Sequence, residues 1–492
     1  MNEYILVVDQ GSSSSRCFAF DLNGKVAFYA KRELRVSYPE QGFAEYEPRD
    51  ILRTQTEVID RTLRIMKPGS KILGLGIASQ RSTIVLWDRN TGVPLCPALS
   101  WQDGRSFREA EAAPVSNSRI HAITGLYKTP YYSASKIVWC MKNYPAVRRA
   151  LERRNLLISP VASFILWHLS KGGIFAADPT LAQRTLLFNI HAMQWDKTLL
   201  DAFGISAGIL PQIKPTFSDF GEIQRNGFKI PVRAMMGDQQ SAMLGLGIEN
   251  RNTACLNYGT GAFLLVNTGG RIVKTTGLLN SIGWQDGFNK NKTVYFSEGT
   301  VNSCATVLEW LKLNFGFYKE LSEIDAMCAK SKNRIFVLPA IGGIGSPHWD
   351  YRTFTTFTGL TAGTDKNDLI RGCVEGICFM VSDIVEAVKE SGVKIKEIKV
   401  SGGVSNIDYL LQFQSDVTGL KVVRVGQIEA TAAGLAGRIA KISGSDVKKW
   451  KLGSGDSVFF PRINPSRRKS VIACWKNFLN HSVEMSKKIT WK

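Results

Sequence analysis

Two stretches of the chain combine residue types that suit a polyphosphate. Residues 5–16 run as an apolar strand into Asp9-Gln10-Gly11, followed by four serines and Arg16. Residues 253–263 run as a second apolar strand into Asn257-Tyr258-Gly259-Thr260-Gly261, then Ala262 and Phe263. A glycine at such a point lets the backbone turn tightly and approach a ligand. Successive N–H groups and hydroxyls can then form a concavity for anionic oxygens. Two such turns, on two related domains, would clamp the phosphates of a nucleotide. Other nucleotide signatures are missing: no G-x-x-x-x-G-K-[ST], no G-x-G-x-x-G opening a helix after a strand, and no HRD–DFG set.

The elements around these turns repeat in order. In the first half, strands are expected at 4–8, 16–21 and 25–32, with Asn23-Gly24 as a hairpin turn. The apolar spacing of Ile51, Val58, Ile59, Leu63 and Ile65 predicts a helix over 50–65, before strands at 72–78 and 83–88. In the second half, strands at 253–257 and 263–267 and a Gly269-Gly270 turn echo this order. Helices at 302–313 and 368–391 and strands at 335–340 and 397–401 follow. This is the pattern of a mixed α/β protein with a weak internal duplication.

At 492 residues the chain is too long for one ordinary core. Its composition, 44% hydrophobic and 21% charged, is that of a globular protein. No apolar run reaches the roughly 18 residues of a membrane helix, no signal peptide is expected, and no membrane insertion is expected. Nine cysteines, odd in number and without CxxC spacing, read as reduced thiols in a cytoplasmic protein. The formal charge of +20 is concentrated towards residues 445–492, with eleven Lys or Arg against three Asp or Glu. A solvated basic face is the simpler reading of that segment, and nucleic acid is not the expected partner. Residues 471–479 suit an amphipathic helix that packs on its own domain.

Seven motifs stand in register over some 400 residues. They are 9–16 (DQGSSSSR), 79–81 (SQR), 100–103 (SWQD), 188–191 (FNIH) with Trp195-Asp196, 237–240 (GDQQ), 258–261 (YGTG) and 411–416 (LQFQSD). Together they resemble the FGGY family of carbohydrate kinases, and within it the glycerol kinase branch. The resemblance implies a two-lobed, actin-like (ribonuclease-H-like) ATPase fold of class α/β, with a central cleft. Its expected divisions are an N-terminal lobe 1–248 for substrate and phosphate, a C-terminal lobe 249–445 for nucleotide, and a basic segment 446–492 packed on the latter. It implies ATP and Mg2+. Asp238 would be the general base, because a polyol hydroxyl is a poor nucleophile and needs a carboxylate within reach of its proton. Asp9 would hold the magnesium through water. Ser12, Ser13, Arg16, Gly259 and Thr260 would contact phosphates, and Gly402 and Gly403 would lie under adenine or ribose. Arg81, Ser82, Trp101, Tyr131, Asp238, Gln239 and Phe263 would line the substrate pocket.

The chain departs from that branch in two places. Glycerol kinases carry Glu directly after Gln-Arg, where this chain has Ser82, so the pocket loses a bidentate acceptor and gains room. Where some bacterial relatives have a Gly-Lys-Gly-Gly-type loop for fructose bisphosphate, this chain reads Arg225-Asn226-Gly227-Phe228, and that regulation is expected to be absent. The expected activity is ATP-dependent phosphorylation of a small polyol, glycerol to glycerol 3-phosphate. Its rivals are a related kinase for a tetritol, pentulose or dihydroxyacetone, and a non-catalytic actin-like sensor. Self-association into a homo-oligomer stays open.

Overall fold

The computed structural model describes residues 2–67, 69–426, 429–445, 450 and 455–489. The chain forms two compact units. The first comprises residues 1–247, 281–295 and 427–452; the second comprises 248–280, 296–426 and 453–492. This division is not the linear split at 248 and 445 that the sequence suggested. The segment after 426 returns to the first unit because the helix Ala430–Ile442 is built of small residues that fit closely there. Parts of the basic segment, 446–449, 451–454 and 490–492, lie outside the described residues.

In the first unit, β1 (Glu3–Gln10) forms hairpins through β2 (Ser14–Phe20) to β3 (Val26–Glu33). On its other edge β1 pairs in parallel with β4 (Lys71–Ser79). Beyond β4 lie β6 (Phe228–Gly237), parallel to it, and β5 (Phe217–Arg225), antiparallel to β6. Central strands buried on both faces need near-continuous apolar runs, which Tyr4–Val8 and Leu75–Ala78 supply. Helix α1 (Pro48–Ile65) begins with the Glu47 cap and Pro48 at its first position. It lays Ile51, Val58, Ile59 and Leu63 against the β1–β3 side of the sheet.

A smaller sheet, Glu45–Tyr46, Ala98–Leu99, Ile84–Asp88 and Leu156–Pro160, completes this unit's scaffold. The chain crosses from β4 to it through Gln80-Arg81-Ser82-Thr83, and leaves Ala98–Leu99 through Ser100-Trp101. Three helices of this unit carry or brace residues singled out in the sequence: α2 (Ser133–Asn143), α3 (Pro179–Gln183) and α4 (Asp238–Gly245). Helix α4 meets Ala430–Ile442 at backbone contact. A Cβ on Gly434 would sit 2.1 Å from the Ser241 carbonyl oxygen, and the Ser241 hydroxyl donates to the Thr431 carbonyl at 2.6 Å.

The second unit repeats the plan. Strand β7 (Thr253–Tyr258) forms a hairpin with β8 (Ala262–Gly269) and pairs in parallel with β9 (Glu397–Ser401). Beyond β9 come β10 (Lys421–Val425), parallel, and β11 (Gly455–Phe459), antiparallel. The long helix Lys366–Glu390 runs through the core. The helix Pro465–Lys488 packs on this unit, with Trp475 fully buried and stacked on Phe379 at 4.9 Å.

Candidate active site

The end of β1 sets the first cluster. Asp9 and Arg16 are cross-strand partners in the β1–β2 ladder, and Arg16 Nη2 donates to Asp9 Oδ2 at 2.5 Å. Arg16 Nη1 donates at 2.9 Å to Glu429, just before the helix Ala430–Ile442. Burial pushes the Asp9 carboxyl up to about 6; Arg16 opposes this, while the charges of Asp238 and Glu429 add to it. In the turn between the strands, the Gly11 N–H donates to the Ser14 carbonyl at 3.0 Å. Ser12 is half-buried and Ser13 is exposed.

The second cluster surrounds Asp238. It is the first residue of α4, where the helix N-terminus favours a negative charge. Its side chain keeps 31% of its surface open, and Arg81 Nε stands 3.9 Å from Oδ1. Burial raises its pKa above the ordinary carboxylate range; Arg81 is the strongest opposing influence, with Arg184 and Arg16 behind it. Arg81 also donates to Gln239 Oε1 and, at 3.5 Å, to Gln240 Oε1. The Arg81 and Gln240 side chains crowd Gly237, where a Cβ would lie 2.7 Å from Gln240 Oε1 and 2.8 Å from Arg81 Cδ. Ser82 lies next to Arg81 with φ +64°, a left-handed conformation uncommon for a residue with a Cβ. Its carbonyl accepts from the Ser133 hydroxyl at 3.1 Å.

Trp101 and Tyr131 present large exposed rings, 40% and 50% open. Trp101 Nε1 donates to the Ser12 hydroxyl at 3.0 Å, tying the aromatic to the serine turn. Both segments are fastened by Lys136 of α2, which is completely buried. Its Nζ donates to the Ser100 carbonyl at 2.6 Å and to the Tyr131 carbonyl at 2.9 Å. Burial lowers its pKa to about 7. Asp103 holds the same loop by accepting from the Ala44 N–H at 2.7 Å and from Arg105.

The second unit carries Gly259, Thr260, Phe263, Gly402 and Gly403. The Gly259–Gly261 turn sits on the start of the helix Ala305–Phe315. The carbonyls of Gly259 and Thr260 accept from the N–H groups of Ala305 and Cys304 at 3.1 and 2.9 Å. Phe263 is half-buried and faces Asn257 across the hairpin. Gly402 has φ +96°, and a Cβ on it would lie 2.3 Å from the Tyr258 carbonyl oxygen, so packing against β7 by itself demands glycine. A Cβ on Gly403 would meet open space.

Comparison with known proteins decides what this assembly belongs to. Residues 4–245 match the N-terminal domain model of the FGGY family of carbohydrate kinases, and residues 254–441 match its C-terminal domain model. The chain belongs to the FGGY family of carbohydrate kinases. It is 35% identical to the glycerol kinase of Shewanella amazonensis, across 98% of this chain and 99% of that protein. Identity to the glycerol kinase of Shewanella oneidensis is also 35%, across 96% and 98%. The crystal structure of Plasmodium falciparum glycerol kinase with ADP superposes with a TM-score of 0.92, at 28% identity over 98% of both chains. The ligand-bound xylulose kinase of Lactobacillus acidophilus shares the fold at a TM-score of 0.85 and 21% identity, covering 99% of this chain and 100% of that one. The kinase therefore has the two-domain, actin-like ATPase fold of its family, and is a phosphotransferase that uses ATP on a carbohydrate or polyol.

Within the kinase's first unit, Asp9, Arg16, Arg81, Asp238 and Gln239 join in one electrostatic group, and Ser12 joins Trp101. Sequence reasoning passed over Glu429, which pairs with Arg16, Lys136, which holds the Ser100 and Tyr131 carbonyls, and Thr180, which accepts from the Gly237 N–H. Two signals were present. Asp178-Pro179 reads as a cap followed by a first-turn proline, and Lys136 interrupts an otherwise small and apolar helix face.

Proposed function

We propose that the kinase phosphorylates glycerol, giving glycerol 3-phosphate, with ATP and Mg2+. The observation that carries this reading is Asp238, which heads a helix beside Arg81 with a pKa raised by burial. A carboxylate so placed can accept the proton of an alcohol as its oxygen attacks the γ-phosphorus, and a raised pKa improves it as a base near neutrality. Arg81 and Gln239 address hydroxyls, while Trp101 and Phe263 offer apolar faces to carbon. Tyr131 completes the polyol set. For the nucleotide we assign Ser12, Ser13 and Arg16 in the first unit, and Gly259, Thr260, Gly402 and Gly403 in the second. The open space above Gly403 suits a flat ring.

Asp9 would hold magnesium through water. A buried carboxylate already paired with Arg16 suits an ion that keeps its hydration shell and takes its remaining ligands from phosphate. When bound, the ion would offset charge on the phosphates. The nine free cysteines support a reducing, cytoplasmic setting.

A coupled ADP-release assay over glycerol, tetritols, dihydroxyacetone and pentuloses tests the substrate. Glycerol turnover is expected, and Asp238→Asn should lower it by about 10²–10⁴-fold. Turnover of a pentulose with none of glycerol would overturn the choice, and that second reading rests on Ser82. The same assay answers the sensor alternative, which predicts no turnover with any member of the panel.

A further inference from the structure

The peptide that leads into Asp238 is held from behind by a buried network. The Gly237 N–H donates to Thr180 Oγ1 at 2.8 Å, and the Thr180 hydroxyl donates to Asp178 Oδ1 at 3.0 Å. Asp178 also accepts from the N–H groups of Thr180 and Leu181 at 3.0 and 3.1 Å, and from the Thr216 hydroxyl at 2.9 Å. Asp178 and Thr180 are wholly buried. Burial pushes the Asp178 carboxyl up to about 7, against the hydrogen bonds it accepts from Thr180, Thr216 and Leu181. In its ionised form it can only accept, so the Thr180 proton then points to it and a lone pair is left for Gly237. The Arg81 and Gln240 side chains also pack close to Gly237.

We propose that Thr180 is a positioning residue for the general base: its hydroxyl, oriented by Asp178, fixes the Gly237 peptide and so the direction in which Asp238 leaves the helix start. The inference rests on the reading of Asp238 as the base. A base must lie within hydrogen-bond reach of the alcohol, and a misplacement of about 1 Å can cost about 10²-fold in rate. Helix α3, which carries Thr180, continues into Arg184, whose charge also acts on Asp238. One short element thus both holds the backbone before the carboxylate and contributes to its field.

Thr180→Val keeps the side chain's shape but leaves the Gly237 N–H buried without an acceptor. With glycerol, ATP and Mg2+, kcat should fall by about 10–100-fold while the glycerol KM changes by less than about threefold. Thr180→Ser should return most of the lost rate. The decisive readout is the double variant: Thr180→Val in an Asp238→Asn background should lower the residual rate by less than about twofold, because the base it positions is already gone. An equal loss in both backgrounds, or a valine variant with full kcat beside an inactive Asp238→Asn, overturns the proposal and leaves the base intact. Full turnover by Asp238→Asn instead removes the base and this inference together. If the valine variant does not fold, Thr180→Ala is read in the same way. If neither folds, the hydroxyl supports the fold rather than the base, and the proposal falls.

Discussion

At Ser82 the backbone sits at φ +64° between Arg81 and Thr83, with a small neutral side chain at the position where the family resemblance leads us to expect a carboxylate. A charged hydrogen bond contributes about 1.5–3 kcal/mol. Ser82→Glu should therefore lower the glycerol KM by about 10-fold or more, measured by initial rates; no change would remove position 82 from the polyol contacts. Asp9 makes a different test. If it holds hydrated magnesium, Asp9→Asn should raise the Mg2+ concentration at half-maximal rate by about 10-fold or more. A variant with unaltered magnesium dependence would end that assignment. Residue types and order were enough to nominate Asp9, Arg81, Trp101 and Asp238. The sequence did not reveal Glu429 as the partner of Arg16, because an ion pair between residues 413 positions apart has no local signature.

Helix α2 and the contact between α4 and Ala430–Ile442 are the elements that hold the site in place. Lys136 titrates at about 7 in the fold, against an ordinary value of 10.5, because burial disfavours its charge. The groups facing it are Asp103, Arg105 and Cys140. Between pH 7 and about 10.5 the unfolded chain carries a proton on this lysine that the fold lacks, so the group's contribution to stability rises with pH across that window. Urea midpoints compared at pH 7 and 9.5 should show a smaller rise for Lys136→Met than for the native protein. An identical rise would mean that the buried amine keeps its proton. Gly434→Ala places a methyl against the Ser241 carbonyl, at a site where the helices already touch. Overpacking of this kind costs about 1–3 kcal/mol, and a loss of kcat should accompany it, since α4 begins at Asp238. The apolar spacing of 50–65 made α1 legible in advance, whereas the small-residue fit of Ala430–Ile442 could be recognised only once its partner helix was in view.

At the scale of the whole molecule, the charge of +20 and the basic C-terminal segment invite a nucleic-acid reading that the packing answers differently. Trp475 is fully buried on Phe379, its Nε1 donates to Asp383 at 2.9 Å, and Leu479 lies in the same core. Trp475→Ala should cost about 3–5 kcal/mol by chemical denaturation. A cost near zero would show that the helix is not part of the fold. Trp450 is likewise consumed by packing, stacked 5.7 Å from Phe20 in the first unit. Phe460 is 63% exposed and remains free for contact. The rival reading requires duplex affinity that falls steeply with salt, and a binding titration at two ionic strengths would expose it.

By itself the sequence determined the family and the two glycine-hydroxyl hairpins, and it nominated the residues that could do the chemistry. These rest on local rules: apolar runs make strands, glycine permits the turn, and motif order identifies relatives. Only the tertiary structure decided how the chain divides and what braces the site. Residues 281–295 and 427–452 return to the first unit. Thr180 lies behind Gly237, and Lys136 fastens the Trp101 and Tyr131 segments. Such contacts join residues far apart in the chain through burial and backbone carbonyls, and neither leaves a periodic or compositional trace.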